Sequence, residues 1–258
     1  MSQPTIWLGV SLKMYFGYQQ TLAWCRDVAR LAQHPAIENG EVGLFILPAY
    51  PAIPAVAEIF RSTPVRFGAQ NVCQAENGAW TGEVSASMLQ ELGCTLAEIG
   101  HAERRRHFHE DQPQIAAKVA QALRKGLTPV LCMGEAQQGT PAQAMALCKQ
   151  QLGEALTAAQ QQRLQGEVLL DYEPQWAIGA PQPAPDDYIR TVCAGLQQLP
   201  LPAGFSLRVI YGGSAGPGLI QRLGADVDGL FLGRFAHDPQ ALECIIAEAS
   251  AQIAARPV

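Results

Sequence analysis

The feature that most constrains this chain is an alternation of short apolar runs with longer amphipathic stretches, repeated eight times. The runs Thr5–Leu12, Val42–Leu47, Val65–Ala69, Leu96–Ile99, Pro129–Cys132, Val168–Tyr172, Leu207–Tyr211 and Gly229–Leu232 are nearly continuous in hydrophobic residues. A strand that is apolar on both faces belongs in a parallel sheet covered by helices, because a half-exposed strand would alternate. Helical periodicity fills the gaps at Gln19–Ala32, Ala52–Phe60, Ser85–Leu92, Gln112–Arg124, Ala142–Gln162, Pro185–Gln198, Gly216–Leu223 and Pro239–Ala254. Eight strand–helix units in 258 residues predict an α/β chain closed into a (β/α)₈ barrel of eight parallel strands. One domain over residues 1–258 is expected, since no Pro/Gly/Ser-rich linker divides the chain. An open doubly wound sheet shares the same alternation and stands as the alternative.

Composition narrows the function classes. The net charge is −5, so neither nucleic acid nor an anionic membrane is expected as a partner. A phosphorylated substrate would then need a local cationic site. Thr5–Val10 is apolar, but no basic residue precedes it and Lys13 closes it, so it does not read as a secretory leader. No run approaches the length of a membrane span. The seven cysteines are odd in number and form no CxxC pair, which points to reduced thiols in a cytoplasmic protein.

In a barrel of this kind the active site gathers at the C-terminal ends of the strands. The residues just after each run are Lys13, Asn71, His101 with Glu103, Glu135, Glu173, Gly212-Gly213 and Gly233-Arg234. Glu173 is the most telling. It ends the run Val168–Tyr172 and opens Glu173-Pro174-Gln175-Trp176-Ala177-Ile178-Gly179. A carboxylate at a strand end, followed by a stiff segment closed by glycine, suits proton abstraction beside a carbonyl. The base must reach a C–H bond and a lid must keep water from the intermediate.

Glu173–Gly179 resembles the catalytic lid of the triosephosphate isomerase family. Ile99-Gly100-His101-Ala102-Glu103-Arg104-Arg105 resembles the electrophile segment of that family, and Cys132-Met133-Gly134-Glu135 the end of its fifth strand. Gln70-Asn71-Val72, with Asn77–Glu83 and Ser85–Leu89, is similar to its dimer loop and the following helix. Tyr211-Gly212-Gly213-Ser214 is similar to its phosphate-binding turn. The segments occur in family order. The resemblance implies a TIM barrel and an aldose–ketose isomerase that works through an enediolate, with no metal and no organic cofactor. It implies Glu173 as base, His101 as neutral electrophile, Lys13 as the cation beside the enediolate, and Glu103 as the residue holding Lys13. It also implies that Gly179, Ser214, Gly212 and Gly213 grip the phosphate through backbone N–H groups. A homodimer is implied as well, with the Asn77–Glu83 loop reaching the partner's active site.

The chain departs from the family around the substrate. The family's asparagine, tryptophan and second asparagine near Lys13 are here Ser11, Leu12 and Tyr15. Ser11, kept as a candidate substrate contact, is shorter than an amide and makes fewer hydrogen bonds. Gly179-Ala180-Pro181 replaces the family's far hinge, which proline should stiffen. Gly233-Arg234 replaces a pair of glycines, placing a guanidinium at the phosphate rim. These departures resemble those of the tetrulose-phosphate isomerases of erythritol breakdown, such as the L-erythrulose 1-phosphate isomerases. A four-carbon substrate is therefore placed ahead of triosephosphate, and triosephosphate isomerase proper stays the alternative.

Two other classes remain open from the residues alone. One is a catalytically weak sugar-phosphate-binding protein on the same fold, which Ser11 and Arg234 would permit. The other is a metal-dependent hydrolase, resting on His107 and His109, which would share a face in a strand. The expected reading has these histidines at the surface, Arg104, Arg105 and Arg106 as a solvated, ion-paired face, and Cys132 as a buried packing residue.

Overall fold

The computed structural model describes residues 4–180 and 183–255. Its eight strands are β1 (Ile6–Ser11), β2 (Val42–Leu47), β3 (Arg66–Ala69), β4 (Leu96–Ile99), β5 (Thr128–Met133), β6 (Gly166–Tyr172), β7 (Phe205–Tyr211) and β8 (Gly229–Leu232). Each pairs in parallel with the next, and β8 pairs back onto β1, so the sheet closes into a barrel in sequence order. The doubly wound alternative is thereby excluded.

The strands are apolar throughout because both faces are covered. Trp7, Phe45, Leu47, Leu96, Val130, Cys132, Leu169, Ile210 and Phe231 form one buried cluster. Their neighbours in sequence, such as Leu8, Ile46, Leu131, Val168 and Leu170, belong to a second and larger cluster shared with the helices. This division by alternate residues places the first cluster inside the barrel and the second between barrel and helices. Inside, Phe45 meets Trp7 edge-on and stacks on Phe231, with ring centroids 6.0 and 5.8 Å apart. Each large side chain buried in this way stabilises the fold by about 1.5–3 kcal/mol. The barrel is thus plugged below its mouth, and chemistry is confined to the top. The next inward positions above Leu96 and Leu169 are Glu98 and Asp171, both buried.

Most predicted helices recur within one or two residues of their expected ends. The stretch expected at Gly216–Leu223 shortens to Leu219–Leu223, because Pro217 and Gly218 precede it and Gly218 has φ of 81°. Two helices had no expectation. Pro35–Glu38 is capped by the His34 side chain, and Ala102–Phe108 begins directly after His101. His107 lies on the latter helix and His109 ends it with φ of 54°, so the pair does not share a strand face. Among the described residues no helix is long and apolar enough to cross a membrane. All seven cysteines are free thiols, and only Cys244 is exposed.

Candidate active site

A cleft of about 680 Å³ opens at the C-terminal end of the barrel. It is lined by strand-end residues from around the ring, among them Ser11, Lys13, Glu173, Gly212, Gly233 and Arg234. Gln175, Ile178 and Gly179, from the segment expected to form a lid, make one wall.

Glu173 follows β6, and its own N–H is fixed by a 2.8 Å hydrogen bond to Met133 O. Its carboxylate oxygen Oε2 lies 3.3 Å from His101 Nε2. Both side chains are almost wholly buried, which strengthens any charge interaction between them. His101 caps the Ala102–Phe108 helix: its Nδ1 accepts from the Glu103 N–H at 3.1 Å. Gly100 before it has φ of 76°, and a Cβ there would lie 3.3 Å from Cys132 O, so this turn suits glycine alone.

Two influences on the imidazole oppose each other. Burial disfavours its charged form, while Glu173 and Glu98 favour it and together push its pKa up to about 9. Yet the Glu103 N–H points at Nδ1, and an imidazolium would meet that donor with a second N–H. The hydrogen-bond geometry assigns a neutral ring with its proton on Nε2, facing Glu173.

Lys13 adopts a left-handed backbone with φ of 49°, an arrangement costing on the order of 1–3 kcal/mol for a residue with a side chain. Gln70 secures that turn, its Nε2 donating to Lys13 O at 3.0 Å and Leu47 O at 2.9 Å. The Lys13 ammonium donates to Glu103 Oε1 at 2.9 Å. Burial opposes its charge, but the Glu103 hydrogen bond and the carboxylates of Glu173 and Glu98 outweigh burial and raise its pKa. Burial likewise works against Glu103, whose pKa is nevertheless lowered by Lys13.

The rim is less uniform. The Ser214 hydroxyl donates to Ala180 O at 2.8 Å, so it holds the far end of the lid. The Gly212 N–H donates to Tyr172 O at 3.0 Å, which removes it from the set available to an anion. A Cβ on Gly179 would lie 3.9 Å from Arg234 Nη2, so the guanidinium reaches across the cleft to the lid. Arg234 makes no ion pair among the described residues. The Pro181 hinge position lies outside the described residues. Tyr15 is exposed at 55% and meets His237 edge-on.

Several residues that shape the site were given no part in it by the sequence, although Glu135 was noted at its strand end. Glu135 accepts from Tyr172, Trp176 and Tyr188, at 3.1, 2.8 and 3.0 Å, and so ties the near end of the lid to the barrel. Glu110, hidden behind His109, accepts from Gly100 N at 3.1 Å, from Lys118 at 2.7 Å and from Arg104 at 2.5 Å. It thereby buttresses the turn that carries His101. The three arginines divide: Arg104 pairs with Glu110, Arg105 donates to Gly100 O, and Arg106 lines the cleft. Cys132, Asp171 and Glu173 bring ligand atoms within 4.8 Å of one another. Burial pushes the Cys132 thiol far above its ordinary range, which disfavours the thiolate a metal would need.

The family model for triosephosphate isomerase matches residues 6–249. The L-erythrulose-1-phosphate isomerase of Pectobacterium atrosepticum is 56% identical over 252 residues, covering 96% of this chain and 97% of its own. Proteins of that name from Rhizobium etli and Brucella abortus are 37% and 36% identical, covering 96% of this chain and 94% and 98% of theirs. With a match spanning the barrel, this chain belongs to the triosephosphate isomerase family.

Proposed function

We propose that the protein moves a carbonyl between adjacent carbons of a short sugar phosphate through an enediolate, with L-erythrulose 1-phosphate as its substrate. The observation that carries the chemistry is the facing of Glu173 and His101 at 3.3 Å, with Lys13 beside them at the cleft. Glu173 takes a proton from the carbon next to the carbonyl. The His101 Nε2–H polarises the carbonyl oxygen and passes a proton between the two oxygens. The Lys13 ammonium balances the negative charge that develops. On a triose phosphate this step relates a ketose and an aldose. On a tetrulose 1-phosphate the proton leaves C3 and returns to C2, so the carbonyl moves from C2 to C3.

The phosphate is bound at the rim formed by Gly179, Ser214, Gly233 and Arg234, with the Gly213 amide just behind it. The Arg234 guanidinium supplies two donors in a fork suited to phosphate. A four-carbon substrate has support from the names of the relatives and from the rim arginine, which lengthens the cationic edge of the cleft. Triosephosphate itself is the second reading, favoured by the family-wide set of Glu173, His101 and Lys13. The Asn77–Glu83 loop is exposed along its length, with Trp80 at 45%. It fits a homodimer in which that loop reaches the partner's site. A cytoplasmic enzyme agrees with the free thiols.

The test is an assay of L-erythrulose 1-phosphate against dihydroxyacetone phosphate in deuterated water. Turnover of the tetrulose phosphate, with solvent deuterium entering at C2 or C3, is expected. Binding without exchange would leave only a sugar-phosphate-binding protein.

A further inference from the structure

Beneath the floor of the cleft lies a carboxyl that the reaction above does not use. Asp171 lies on β6 two residues before Glu173, so both side chains point inward from one strand. Its register partner on β5 is Cys132 and on β7 is Ile210. It is completely buried, and neither carboxyl oxygen has a hydrogen-bond donor among the described residues. The space it fills is made by Gly212: a Cβ there would fall 2.2 Å from Asp171 Oδ1. The acidic oxygens of Asp171 and Glu173 lie within 4.8 Å of each other.

The groups facing Asp171 are Glu173 at the end of its own strand, Cys132 from β5 and Glu98 from β4, with the Tyr211 hydroxyl beyond on β7. None carries positive charge. Two ionised carboxyls this close, with no donor and no water-like dielectric, repel by several kcal/mol, so one of them retains a proton. Glu173 reaches the cleft and has Lys13 and His101 beside it to hold its negative charge. Asp171 has neither. Burial first, and then the Glu173 charge, drive the Asp171 carboxyl well above the usual range.

We infer that Asp171 is an un-ionised carboxylic acid whose O–H is directed at the Glu173 carboxylate, making it a positioning residue for the base. The acid turns an acceptor-against-acceptor contact into donor-against-acceptor. It also spares His101 one of the charges that would otherwise draw a proton onto its ring. The inference rests on Glu173 being the base, and the experiment below separates the two.

Wild type, Asp171→Asn, Asp171→Ala and Glu173→Gln are compared. The first measurement is infrared difference spectroscopy at neutral pH, reading the C=O stretch of un-ionised carboxylic acid. A band present in wild type and absent in Asp171→Asn is expected. A wild type lacking that band overturns the inference, whatever the activities show. The second measurement is steady-state kinetics. Asp171→Ala is expected to lower kcat on the order of 10- to 100-fold through misplacement of the base, with KM little changed. Asp171→Asn, a neutral donor of the same shape, is expected to recover most of that loss. An asparagine variant as impaired as the alanine variant, or an alanine variant as active as wild type, overturns the positioning role. A stoichiometric metal whose removal abolishes activity overturns it too. Glu173→Gln with wild-type turnover would sink the base assignment while leaving the infrared result standing.

Discussion

The Ser11 hydroxyl donates a 2.8 Å hydrogen bond to Glu98 Oε2, joining β1 to β4 across the mouth of the barrel. Both residues are buried, and burial raises the Glu98 pKa despite this donor. Ser11 therefore lines the cleft with its one hydroxyl proton already committed. Ser11→Ala strips a buried carboxyl of its donor and is expected to lower stability by about 1–3 kcal/mol in urea unfolding. Glu98→Gln keeps a neutral acceptor of the same shape and should cost less. A Ser11→Ala variant as stable as wild type would show that this hydrogen bond contributes nothing to the fold.

On the proposed mechanism, Glu173→Gln leaves no base to take the carbon-bound proton. It should fold as wild type by circular dichroism and lose on the order of 10²–10⁴-fold in kcat or more. Wild-type turnover would end the enediolate mechanism.

Arg234 reaches toward Gly179 and has no carboxylate partner among the described residues. Arg234→Gly should raise KM for the tetrulose phosphate. It should also narrow the proposed preference over dihydroxyacetone phosphate, expected at about 10–200-fold for one extra carbon in a fitted pocket. An unchanged ratio in side-by-side kcat/KM measurements would make this residue neutral to specificity.

Trp80 on the exposed loop, and separately Met14 at 93% and Tyr15 at 55% exposure, are large side chains that a partner would cover. Light scattering should show a dimer, and Trp80→Glu should yield a monomer of reduced activity. A wild type that is monomeric and fully active at low concentration would count against the dimer.

Glu110 sets an acid limit on stability. Burial alone would raise its pKa, but Lys118 and Arg104 hold it below the ordinary 4.5. Its folded value is thus depressed, so its contribution is present above pH 4.5 and is lost as pH falls below that toward the folded value. For Lys118 the balance is opposite: burial outweighs Glu110 and lowers its pKa, so the pair tolerates burial only as a pair. Glu110→Gln should destabilise by about 3–5 kcal/mol and flatten the acid side of a Tm-versus-pH curve. A mutant with the wild-type slope would remove Glu110 from the acid transition.

Much of the architecture was legible in the chain because it rests on local patterning. The apolar run Val168–Tyr172 marks a strand wherever it lies, and Asp111 with Gln114 forms a capping box that starts the Gln112–Arg124 helix at its expected residue. The motifs around Lys13, His101 and Glu173 were legible for the same reason, since each is a short contiguous segment at a strand end. Contacts between distant positions were not. Ser11 and Glu98 are 87 residues apart, and Tyr188 and Glu135 are 53. A carboxylate inside an apolar run gives no sign of which face it will occupy. Closure of the barrel turned Glu98 and Asp171 inward, spent the Gly212 amide on Tyr172, and bent Lys13 into a left-handed turn. Periodicity over a few residues determines which elements form. Only the three-dimensional meeting of eight strand ends decides which charges must share one small, buried space.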